Sequence, residues 1–181
     1  MRISRIHLFL ALAGFSALLG AVGCSPVSDT ATPIQLPAIC SSASQAAPAT
    51  PFVFNMDYKR REEIVGVSVE WGKDDSGGVV WLDRLSLSVV AQLFEEGFID
   101  PNDRQNSAPT SQEILIFMCK HPSALASGYM VSPERDDYRA TLDAIELPRR
   151  YVTPAAREEF EKLCRDADEL ATDGDLYCWW D

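Results

Sequence analysis

The chain has 181 residues, 46% of them hydrophobic, and a net charge of −11 from 27 acidic against 16 basic side chains. Such acidity excludes a nucleic-acid partner, because phosphate binding needs a basic surface that displaces counterions. It equally opposes adsorption of the whole domain to anionic lipid headgroups, and makes a cationic protein the natural electrostatic partner.

In chain order, MRISRIHLFLALAGFSALLGAVGC comes first. Arg2 and Arg5 precede an apolar run from Leu8 to Leu19, and Gly20, Ala21 and Gly23 precede Cys24, which is the layout of a secretory signal. The run falls short of the about 20 apolar residues that a membrane-spanning helix needs. Ala21-Val22-Gly23-Cys24 resembles a bacterial lipobox, whose Cys is lipidated and becomes the mature N-terminus. Ala21 departs from the Leu commoner three residues before the Cys, which leaves an ordinary cleaved signal as the alternative. The resemblance implies a lipid anchor on Cys24, with several acyl chains giving firm attachment. Ser25 in place of Asp implies the inner leaflet of the outer membrane, facing the periplasm. Cleavage removes residues 1–23, and with them Arg2 and Arg5, so the mature net charge moves from −11 to −13.

Residues 24–51 hold the lipidated Cys and then a Pro/Ser/Ala-rich stretch with no period, expected to be a flexible tether. Four cysteines follow Cys24: Cys40, Cys119, Cys164 and Cys178. An even count in an exported domain reads as two disulfides, with three pairings open. Cys164 with Cys178 is favoured, linking a helix end to a C-terminal strand, and Cys40 with Cys119 then pins the N-terminal tail to the body. No CxxC is present to suggest a redox site or a zinc ribbon.

The globular domain is expected over residues 52–181. FVFNMDY alternates as a half-buried strand, KRREE reads as a charged turn, and IVGVSVEW alternates again. With VVWL after the loop GKDDSGG, these pieces suggest a three-stranded meander. SLSVVAQLFEEGF then changes to helical spacing, and Gly97 is placed to end that helix. Thr110–Glu113 spells a capping box opening the helix SQEILIFMCKH, although its apolar centre also fits a buried strand. GYMVS and YRATLDAIEL form a hairpin around PERDD, with a bulge expected after Ala144. Thr153 and Pro154 start a third helix, and DLYCWW is the last strand. The fold class is α+β: an antiparallel sheet with about three helices on one face.

No catalytic constellation emerges, and the protein is not expected to be an enzyme. His121 is the single mature histidine, at a helix end where its charge suits the dipole. Glu95/Glu96 and Asp136/Asp137 are adjacent, so each pair diverges rather than flanking one substrate. DPNDRQ from Asp100 fails the EF-hand template at its fifth, sixth and twelfth positions, and DADELATDGD fails likewise, so no metal or cofactor is expected.

Binding residues are expected on two acidic loops, at Asp100, Asn102 and Asp103 and at Glu134, Asp136 and Asp137. By strand parity Trp180 faces the core, while Tyr177 and Trp179 face outward, able to stack on a sugar or anchor a protein. In build alone the chain resembles periplasmic immunity lipoproteins, which plug the active site of an incoming toxin. That resemblance implies a lipid-anchored inhibitor of a basic secreted effector. The alternative is a structural or accessory envelope lipoprotein that binds peptidoglycan or a secretion-machine subunit.

Overall fold

A computed structural model describes residues 35–43, 51–73 and 77–181. The signal segment and Cys24 lie outside them. Five strands form one antiparallel sheet in the order β1-β2-β3-β5-β4: β1 Val79–Ser86, β2 Leu125–Val131, β3 Ala140–Leu147, β4 Glu169–Ala171 and β5 Leu176–Trp179. Among the described residues four α-helices accompany it: α1 Tyr58–Val65, α2 Leu87–Glu95, α3 Ser111–Lys120 and α4 Pro154–Leu163. The α+β class is therefore as expected, with one more helix. α2 and α3 pack on the sheet, α4 packs on α3, and α1 packs on α2.

Local chemistry sets the helix ends. Thr110 and Glu113 form the expected capping box, Thr110 accepting the Glu113 amide while the Glu113 carboxylate accepts the Thr110 amide. Thr153 accepts the Ala156 amide ahead of Pro154. Gly97, at φ +76°, closes α2 in a Schellman motif, with the Phe98 amide bonded to the Leu93 carbonyl and the Gly97 amide to Phe94. The apolar ILIFMC segment forms a helix, with Ile114 and Met118 wholly buried against the sheet.

The expected meander is corrected. Residues 51–57 join no strand: Asn55 bonds the C-terminal end of α2 through the Gly97 and Glu96 carbonyls, and its own carbonyl accepts the Tyr138 hydroxyl. KRREE is the body of α1, not a turn. Asp57 caps it by accepting the Arg60 amide, and Gly66, at φ +73°, ends it. Its Arg61 is wholly buried and donates to the carbonyls of Val131 and Arg139, which fastens α1 to the β2–β3 hairpin. Residues 67–70 are irregular, and Glu62 holds this segment by accepting the Val69 amide and the Trp71 indole N–H. Only the third piece becomes a strand, and its partner is β2.

Both expected disulfides are present, Cys40–Cys119 and Cys164–Cys178. Residues 38–41, inside the expected tether, form a turn of 3-10 helix against α2 and α3, and Ala43 is buried in the core. The folded unit thus begins well before residue 52. Among the described residues, no helix is long and apolar enough to cross a membrane.

Candidate functional site

The helices cover one face of the sheet, where Leu82, Met130, Leu142, Cys178 and Trp180 are buried. Residues of the opposite parity make the outer face. The register aligns Trp81, Tyr129 and Thr141 in one cross-strand row, and places Ala144 opposite Trp179 and Glu146 opposite Tyr177. Cross-strand neighbours of this kind touch, so the row forms a continuous ladder.

Trp81 is 67% exposed, and its ring meets Tyr129 edge to face at 5.6 Å between centroids. Tyr129 is held from the other side by Arg139, whose guanidinium lies 5.4 Å from the ring centroid and donates to the hydroxyl at 2.9 Å. Arg139 is fixed in turn by the Asp137 carboxylate and carbonyl. An exposed indole is thereby mounted on a rigid base, which lowers the entropy lost when a partner covers it.

Two bulges interrupt the sheet on either side of Ser127 and Gly128. On β1, Asp83 and Arg84 together face the single residue Ser127, and on β3 Asp143 is the extra residue, beside the expected break at Ala144. Arg84 takes φ +52°, and its amide donates to Ser127 Oγ while its guanidinium pairs with Glu146. Asp143 is buried, and this pushes its carboxyl up to about 6. Burial also raises the Tyr177 hydroxyl, helped by the charges of Glu169, Asp143, Asp83 and Glu146. Tyr177 therefore marks the acidic part of the outer face.

The acidic loops lie at the end where the β2–β3 turn projects. Asp100 accepts the Asn102 amide and organises its loop, and the Ala140 amide bonds Phe98 to tie that loop to β3. Asn102 is exposed, whereas one carboxylate oxygen of Asp103 is buried without a partner, and the charge of Asp103 acts on Arg139. Asp137 is clamped by Arg135 and then Arg139, which hold its carboxyl far below the usual range. Glu134 and Asp136 are exposed and carry no ion pair among the described residues. Tyr177 and Trp179 are half-exposed on the outer face, and Trp180 is buried, as strand parity implies.

The structure therefore joins the two acidic loops to Trp81 through Arg139, and leaves Tyr177 and Trp179 at the other side of the same face. Trp81, Tyr129 and Arg139 were not assigned to a site from sequence. The signal available was the alternation of VVWL, in which Trp81 opposes Leu82. His121 is remote from this face. It packs on Phe117 at 4.5 Å between ring centroids, and its Nε2 lies 3.5 Å from Glu159. No family model, no curated protein and no solved structure matches this chain.

Proposed function

We propose that this is a periplasmic binding protein, lipid-anchored through Cys24, that neutralises a basic secreted antibacterial effector. The observation that carries the reading is the Trp81–Tyr129–Arg139 ladder, an exposed indole on a base braced by Asp137, whose turn also carries the exposed Glu134 and Asp136. A central aromatic anchor with a charged rim is the usual anatomy of a high-affinity protein interface. Opposite charge accelerates encounter with a cationic partner. The two disulfides suit an oxidising compartment.

The test is inhibition. Residues 25–181 are titrated against basic secreted hydrolases from competing bacteria, in low and high salt. Salt-sensitive inhibition that drops at least tenfold in Trp81→Ala, with an unchanged melting curve, supports the reading. Inhibition untouched by Trp81→Ala and by Glu134→Lys with Asp136→Lys sinks it.

Half-exposed Tyr177 and Trp179 favour one second reading, an accessory envelope protein stacking on peptidoglycan. Sedimentation with cell-wall sacculi, lost in Trp179→Ala but kept in Trp81→Ala, separates it from the first.

A further inference from the structure

We propose that the end of the sheet opposite the acidic turn is a binding site for a phosphate group, built on Arg149 and Arg150 with Arg84 beside them. The register brings Ser86, Leu125, Leu147 and Leu176 to this end. Pro148 follows β3, and Arg149–Tyr151 make a turn of 3-10 helix whose first amide donates to Asp175 at 2.7 Å. Two successive arginines are thus displayed from a fixed backbone.

Acidic side chains far outnumber basic ones here, so an arginine seldom lacks a carboxylate. Arg60, Arg135, Arg139 and Arg165 each take one. Arg149 and Arg150 have none among the described residues; the Arg150 guanidinium instead lies 4.9 Å from the Tyr151 ring centroid. The nearby acids are otherwise engaged, Asp175 on the Arg149 amide and Glu146 on Arg84. Arg84 reaches this end from a left-handed backbone conformation, which costs energy for any residue with a Cβ and is commonest where function retains it.

The cations frame real space. Arg84, Arg149 and Arg150, with Glu146, Pro148 and Asp175, line an open hollow of about 650 Å³. A second hollow of about 510 Å³ shares Arg149 and adds Arg157. One guanidinium fork satisfies a carboxylate, whereas a phosphate offers oxygens to several forks at once. Net charge is an average over the chain, and these hollows depart from it: four arginines line them against Glu146, Asp173 and Asp175, with Glu161 reaching Arg157 at 4.0 Å from outside the lining. The surrounding acidity disfavours unspecific polyanions and leaves a local site for a phosphate, either soluble or on a lipid headgroup.

The test uses residues 25–181, which contain the whole compact unit Ile34–Asp181. Inorganic phosphate is titrated while the arginine Nε–H signals are followed by NMR. In parallel, the protein is floated with vesicles of phosphatidylcholine alone or with phosphatidylglycerol added. Saturable shifts at Arg149 and Arg150 without flotation assign a soluble phosphate. Flotation that requires phosphatidylglycerol assigns a headgroup. Either response should weaken at least tenfold in Arg149→Ala with Arg150→Ala, and partly recover in the double lysine variant, at an unchanged melting temperature. Absence of both responses, or binding that persists in the double alanine variant, overturns the proposal.

Discussion

The Arg61 guanidinium lies 4.4 Å from the Tyr138 ring centroid, wholly buried, and its hydrogen bonds run to the Val131 and Arg139 carbonyls. Trp71 flanks it at 5.6 Å. Burial lowers its pKa, with the Tyr138 and Glu62 charges opposing that shift. The contact decides the position of α1, because no other α1 side chain is buried this deeply. Arg61 and Tyr138 together join the first helix to the turn that presents the acidic loop.

Replacing Arg61 by Met keeps much of the apolar stem and removes the fork. The Val131 carbonyl then loses its Arg61 donor in a dry site, at about 1–3 kcal/mol; the Arg139 carbonyl keeps the Val131 amide, and the guanidinium contact with the Tyr138 ring is lost as well. Urea unfolding of Arg61→Met should show a loss of about 2–4 kcal/mol, with α1 amides exchanging faster than those of α3. A change below the scatter of the measurement would mean that α1 docks without this contact.

Asp143 makes stability depend on pH. Its carboxyl sits at about 6 against an ordinary 3.8, raised first by burial, opposed by a bond to its own backbone, and raised further by Asp181. The unfolded chain releases this proton near 3.8 and the folded chain only near 6. The stability linked to the protonated form is complete below about 3.8 and is lost as pH rises through about 6. Asp143→Asn should therefore stabilise the protein at pH 7.5 by about 1–3 kcal/mol and leave it unchanged at pH 3.5. Urea midpoints at the two pH values give the answer, and equal shifts at both would refute the linkage.

Gly128 sits between the two bulges, where a Cβ would drive into the Thr141 carbonyl. Backbone cannot yield as a flexible side chain can, so Gly128→Ala should cost about 3 kcal/mol or more. A thermal melt is sufficient to check it. An unchanged midpoint would show that β2 and β3 separate here at little cost.

Elements whose signals are local were legible in sequence. The capping box at Thr110, Thr153 with Pro154, Gly97 after α2, and the hairpin alternation around PERDD each carry their own chemistry within a few residues. The segment 52–71 misled because alternation of Phe and Val describes an extended chain, not a paired one, and the pairing partner is settled elsewhere. Asp57 and Gly66 bracket KRREE with a cap and a stop, and five good helix formers lie in or beside that bracket. The charged residues nonetheless suggested a turn, since nothing local reveals that Arg61 will be buried by Trp71 and Tyr138. The binding surface was half legible for the same reason. Parity separated Trp180 from Trp179, but Trp81 meets Tyr129 across two intervening helices, a relationship that only register supplies. Asp137 looked free in sequence, and its two arginine partners remove it from the residues able to meet a partner.

The Cys40–Cys119 bond also sets how the domain would respond to force. A pull applied upstream of Cys40 enters the fold at the last turn of α3, through a covalent link that bypasses residues 41–118. α3 lies on the sheet and supports α4, so tension spreads into the most buried part of the molecule. Without the bond, the same pull would first strip residues 38–43 from α2 and α3, and only then reach residues 51–57 and α1 with its buried Arg61. One oxidised pair of sulfurs thus moves the point where load enters from the edge of the domain to its core.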